Sequence, residues 1–148
     1  SEFKTIIDSL HDPIDSTFIA EFQKSTLTKT IPADLLQTFI DESRKVPAHV
    51  WKGVAAGWPT ATFLSTLASF GKPTLIIWGE KDTYTSYDDQ VRLRSALRQA
   101  RFLRYKGIGH ASHWETPERF ARDLVKFIQT HQLHHHDVQS QKMGVVSR

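Results

Sequence analysis

The stretch that decides the fold spans residues 73 to 82 and reads Pro73-Thr-Leu-Ile-Ile-Trp-Gly-Glu-Lys-Asp82. Its apolar run is continuous and carries β-branched residues, the composition of a strand buried on both faces. Gly79 to Asp82 then reads as the loop that leaves the strand's carboxyl end. Ser86 is placed to cap a helix, with Asp88 and Asp89 in the first turn where the helix dipole favours negative charge, and the helix is predicted to run through Leu97. Arg101 to Lys106 forms a second, shorter strand. The sequence Gly107-Ile-Gly-His-Ala-Ser-His-Trp-Glu115 follows as a turn. Thr116 is placed to cap a helix opened by Pro117, with Phe120, Ala121, Leu124, Val125 and Ile128 along one face. Strand, helix, strand, helix is a parallel βαβ unit with a further helix, and so an α/β architecture.

On the N-terminal side, residues 1 to 70 have a different texture. Apolar residues recur at helical spacing in four short segments: Phe18, Ile19 and Phe22; Leu35, Leu36, Phe39 and Ile40; Val50, Trp51, Val54 and Ala55; Phe63, Leu64 and Leu67. Pro13, Pro32, Pro47 and Pro59 punctuate them, as suits a residue tolerated in a first turn but not in a helix interior. At the other end, residues 131 to 148 are polar and are expected to form a disordered tail. They include His134-His135-His136, and three adjacent histidines cannot by themselves supply a closed tetrahedral metal site. No metal or other cofactor is expected.

The chain has 148 residues, enough for about one domain. Hydrophobic residues make up 39% and charged residues 24%, a globular balance rather than a disordered one. No apolar run approaches the roughly 18 residues of a membrane span, so no membrane association is expected. The N-terminal residues Ser1-Glu2-Phe3-Lys4 lack the pattern of a signal peptide, and the absence of cysteine fits a reducing compartment. The expected location is therefore the cytoplasm. A net charge of +3 is mild. Arg92, Arg94, Arg98, Arg101 and Arg104 are interleaved with apolar positions and lack a stacking platform, so they read as a solvated face and no nucleic-acid partner is expected.

Two parallel strands place their carboxyl ends at one edge, where open α/β sheets bind ligands. Asp82 follows the first strand and His110 follows the second. A carboxylate that accepts one imidazole N–H fixes the tautomer and leaves the other nitrogen free to take a proton, so the pair fits an orienter and a general base. Spacing alone leaves a second account open, in which Asp82 is one loop carboxylate among many and His110 is a turn residue.

The residues Pro73 to Asp82, followed after 28 positions by Gly109-His110 and then by His113-Trp-Glu-Thr-Pro-Glu-Arg-Phe120, resemble the C-terminal portion of the α/β-hydrolase superfamily. The resemblance covers residues 12 to 130. It implies a partial α/β-hydrolase fold in three regions: a helical cap over residues 1 to 70, the C-terminal part of the core over 71 to 130, and the tail. Glu21 to Leu27 and Lys45 to Trp51 are similar to cap segments of one serine-hydrolase-like group. By the same resemblance Asp82 is the acid of a catalytic triad and His110 its base. The cap would supply an apolar substrate pocket, for which Trp51, Trp58, Phe63 and Trp114 are candidates, although large aromatics serve ordinary cores more often than pockets. His113 is expected to support the turn rather than to catalyse.

One departure from that pattern matters. The family's nucleophile sits on a Gly-x-Ser-x-Gly elbow, and no such motif occurs in these 148 residues. Gly53-Val-Ala-Ala-Gly57 has alanine at the central position, and Ser112 lies on the wrong element. The expectation is a C-terminal fragment of a hydrolase acting on a small ester-type substrate, inactive alone and served by a nucleophile on a complementing N-terminal half. The alternative is a non-catalytic interaction module that forms a homodimer or binds a partner through its open sheet edge, since unpaired strand edges recruit other strands.

Overall fold

The computed structural model describes the backbone of residues 2–57 and 64–143, and the side chains of residues 3–57 and 64–131. Five helices come first: α1 (Glu2–Ser9), α2 (Ser16–Ser25), α3 (Ala33–Ser43), α4 (Ala48–Gly57) and the single turn α5 (Leu64–Leu67). Strand β1 (Leu75–Gly79), α6 (Tyr87–Ala96), β2 (Arg101–Tyr105), the short α7 (Ser112–Glu115) and α8 (Pro117–Met143) follow. The four N-terminal helices read from the sequence are thus preceded by another, α1. Phe3 and Ile7 are four residues apart and Leu10 follows three later, so they share a face. Ile7 and Leu10 pack with Ala48 and Ala55 of α4 into a small core, against which Phe3, Ile14, Phe18 and Trp51 rest.

Local chemistry explains where these helices start. Asp15 caps α2 by accepting from the Phe18 amide at 2.9 Å. The first amide of α4, on Ala48, donates to the Asp12 carboxylate at 2.8 Å, so a loop residue 36 positions earlier serves as its cap. Ser86 and Asp89 form a reciprocal capping box at the start of α6. Thr116 differs from its expected role: its hydroxyl donates back to the Ser112 carbonyl at 2.9 Å and so closes α7 instead of capping α8.

Strands β1 and β2 pair in parallel, in register from Leu75 with Arg101 to Gly79 with Tyr105. Ile76 and Trp78 are buried, while Leu75 and Ile77 on the other face are only partly so. Both faces were expected to be buried; with two strands in the sheet among the described residues, one face lacks a full cover. The same shortage appears on α8, where Leu124, Val125 and Ile128 are exposed along the predicted apolar stripe. The backbone of α8 also continues beyond the predicted end near residue 130, since neither Pro nor Gly occurs from residue 131 to Met143. The side chains of His134 to His136 lie outside the described residues.

The carboxyl end of β2 is anchored by Tyr105, which is fully buried. Its hydroxyl donates to Asp123 of α8 at 2.7 Å, and the Arg119 guanidinium lies 3.8 Å from the ring centroid. Burial first, and then the Asp123 carboxylate, push the phenol from 10.0 up to about 12. A neutral phenol is what the folded state favours, so its stabilisation is complete below the ordinary phenol value and is lost as pH rises from about 10 to about 12. Tyr105→Phe is therefore expected to cost about 2 kcal/mol at neutral pH, the range of a hydrogen bond to a charged group. Denaturant unfolding of both proteins across that alkaline range should show the difference shrinking, and a constant gap would rule out this linkage.

Candidate active site

The geometry of the site begins with a glycine. Beyond Gly79 the β1–β2 ladder continues irregularly, with the Glu80 amide donating to the Tyr105 carbonyl at 3.0 Å and the Lys81 amide to the Ile108 carbonyl at 2.8 Å. This draws the loop after β2 onto the end of β1. A Cβ on Gly79 would lie 1.9 Å from the Gly109 carbonyl oxygen and 2.5 Å from that of Ile108, distances no side chain survives. Gly107, at φ +72, supplies the left-handed turn that sends the chain back toward β1.

The approach brings Asp82 and His110 together. Nδ1 of His110 lies 2.9 Å from Oδ2 of Asp82. An ionised carboxylate can only accept, so the neutral ring carries its proton on Nδ1 and presents a bare Nε2. The Asp82 side chain is 5% exposed and that of His110 is 40% exposed, so the acid is enclosed while the base meets solvent. Asp82 accepts three further hydrogen bonds: from the Tyr84 amide at 2.7 Å, the Thr85 amide at 3.1 Å and the Thr85 hydroxyl at 2.5 Å. Burial pushes its carboxyl up, but Thr85, His110 and the two amides together outweigh that, and the group sits below its ordinary value. The indole of Trp78 donates to the Thr85 carbonyl at 3.1 Å and fastens this loop to β1.

Tyr84 and Thr85 carried no sequence signal beyond their loop position, yet they surround the acid. The Tyr84 ring lies 5.1 Å from the His110 ring, 6.0 Å from Phe22 and 6.1 Å from Phe3. Its hydroxyl is 2.5 Å from Ser25 Oγ at the end of α2. Tyr84 therefore links the imidazole to the aromatic group of the helical region. Beyond it, Phe3, Ile7, Phe22, Val46, Val50, Trp51, Val54 and Ala55 line an open apolar cavity of about 190 Å³.

The predicted tryptophans separate. Trp51 is edge-on to Phe22 at 5.0 Å and lines that cavity. Trp114 stacks on Phe39 of α3 at 3.8 Å, which joins α7 to the helical region and keeps it away from the cavity lining. Trp58 and Phe63 lie outside the described residues. His113 rests against Trp114 and Phe120, and partial burial, then the neighbouring His110, holds its ring below the ordinary imidazole value. Ser112 is buried at the start of α7.

Residues 18–117 match the family described as alpha/beta hydrolase fold. Among curated proteins, the chain is 34% identical over 67 residues to a 2-hydroxy-6-oxononadienedioate/2-hydroxy-6-oxononatrienedioate hydrolase of Pseudomonas putida, covering 45% of this chain and 23% of that protein. Among solved structures, a bromoperoxidase from Bacillus anthracis superposes with a TM-score of 0.73 at 19% identity over 86% of this chain and 47% of that one. An esterase from Exiguobacterium antarcticum gives 0.71 at 20% identity, over 77% and 42%. The chain thus spans less than half the length of each of these relatives.

Gly79→Ala is expected to force β1 and the His110 loop apart. The loss of stability should be about 3 kcal/mol, at the upper end for overpacking. Denaturant unfolding reads it directly, and a loss under about 1 kcal/mol would mean that the approach is not a tight constraint.

Proposed function

Because the chain belongs to the alpha/beta hydrolase fold family, we propose that it is the C-terminal portion of a hydrolase, carrying the acid and base of a catalytic triad beneath a helical cap. The observation that carries this reading is the Asp82–His110 contact, made by two loops that leave the carboxyl ends of adjacent parallel strands. Asp82 holds the imidazole by Nδ1. Nε2 takes the proton of a nucleophilic hydroxyl as its oxygen attacks the substrate carbonyl, and the ring then returns that proton to the leaving oxygen, which departs as an alcohol. In the deacylation half, water takes the hydroxyl's place. The nucleophile and the donors for the oxyanion come from polypeptide outside these residues.

The substrate class is a small molecule with an apolar acyl part and a cleavable carbonyl, an ester in the first instance. The cavity lined by Phe22 and Trp51 supports the apolar part, since Tyr84 bridges it to His110. The Pseudomonas relative is named for oxo-dioate substrates, so a ketone flanked by carboxylates is the second class to assay.

Alone, the chain is expected to leave p-nitrophenyl acetate at its buffer rate. Expressed in one polypeptide with an N-terminal half bearing Gly-x-Ser-x-Gly, it should hydrolyse the ester, and His110→Ala should lower kcat by roughly 10³ or more. An active fusion whose kcat is unchanged by His110→Ala would sink the assignment of the base.

The open sheet and the exposed stripe of Leu124, Val125 and Ile128 favour a second reading, a non-catalytic module that pairs with a second copy through its strand edge. Sedimentation separates the two: that reading expects a dimer, and a compact monomer refutes it.

A further inference from the structure

The segment joining α2 to α3 touches both loops of the site. Besides the Ser25 contact to Tyr84, the Thr26 carbonyl accepts from the Ala111 amide at 3.1 Å. The rest of the attachment converges on one carboxylate. Glu115 accepts from the Gly109 amide at 2.7 Å through Oε1, and through Oε2 from the Thr28 hydroxyl at 2.7 Å and the Lys29 amide at 3.0 Å. The three donors come from two chain segments roughly 80 residues apart, and bonds to a charged acceptor are among the stronger hydrogen bonds. The fit is close on the other side as well. A Cβ on Gly109 would lie 2.7 Å from Glu115 Oε1 and 2.9 Å from the Thr26 carbonyl, so only glycine admits this closure beside His110.

We propose that Glu115 is a positioning residue that fastens the segment Thr26–Lys29 to the peptide immediately before His110, so that the imidazole keeps its bearing on Asp82 only while the helical region is docked. The inference rests on the acid–base reading above. Glu115 donates nothing to His110 or Asp82; it acts through the Gly109 peptide. Glutamine cannot replace it fully, because its single carbonyl oxygen cannot serve both the Gly109 and Lys29 amides, and its NH₂ group repels whichever amide it faces.

The test uses the full 148-residue chain with ¹⁵N-labelled histidine rings, at mildly alkaline pH. In the unaltered chain the His110 ring should carry its proton on Nδ1, protected from exchange with water. Glu115→Gln and Glu115→Ala should each speed that exchange by about tenfold, with a loss of the Nδ1–H tautomer, as removal of a charge-assisted hydrogen bond implies. Thr28→Val, which removes one donor, should fall between. Lys45→Ala, which breaks an exposed ion pair with Glu42, should leave the ring unchanged. If Glu115→Ala does not fold, Glu115→Gln and Thr28→Val carry the test. An unchanged ring in Asp82→Asn overturns the acid–base reading as a whole. A ring altered by Asp82→Asn but untouched in folded Glu115→Gln overturns only the role of Glu115.

Discussion

The approach of Gly79 to the Gly109 carbonyl is the constraint on which the rest of the site depends. Parallel pairing already brings the carboxyl ends of β1 and β2 to one edge, but strand ends alone would leave their loops several ångströms apart. Removing the Cβ at position 79 lets the second loop cross over the end of the first strand. The Lys81 amide can then reach the Ile108 carbonyl, and Asp82 falls within hydrogen-bond distance of His110. The placement of these contacts follows from one missing side chain.

Around that constraint the two charged partners sit in contrasting surroundings. Asp82 is enclosed and saturated, with its two oxygens accepting from Tyr84, Thr85 and His110, so its charge persists despite burial. His110 is partly exposed to solvent, with Nδ1 committed to Asp82. The carboxylate is enclosed and fixed, and the imidazole it holds is exposed to solvent, the contrast that the proposed acid and base roles require. The aromatic path through Tyr84 to Phe22 and Trp51 then connects the base to an apolar cavity in the helical region.

What was legible in the sequence was local. The β1 run, the Ser86 cap with its acidic first turn, and the Pro117 helix start are patterns contained within a few residues, and each appears where the sequence put it. That Asp82 and His110 share one sheet edge was legible, because a strand's carboxyl end is a place that can be named from sequence. Glu115, Tyr84 and Thr28 were not, because their partners are distant in the chain and no spacing rule announces them. Thr116 was misread for a related reason: threonine before Pro117 suggests a cap, but the turn of α7 offered its hydroxyl a nearer acceptor. Trp114 fits pocket or core by its sequence alone, and the structure stacks it on Phe39. The apolar stripe on α8 was read correctly as apolar, but periodicity says nothing of whether a partner covers it.

The bonds from Thr28 and Lys29 to Glu115 also bear on the entropic cost of closing the chain. Asp82 and His110 are 28 residues apart and belong to one compact strand–helix–strand unit, whereas Thr28 and Glu115 are separated by 87. Closing the longer loop costs about 1 kcal/mol more in chain entropy, on the logarithmic scaling of loop closure. On closure cost alone, the Asp82–His110 contact is less costly to make than the contact from Thr28 to Glu115. A chain built this way brings its two loops together at small entropic cost and attaches the helical segment to them at a larger one.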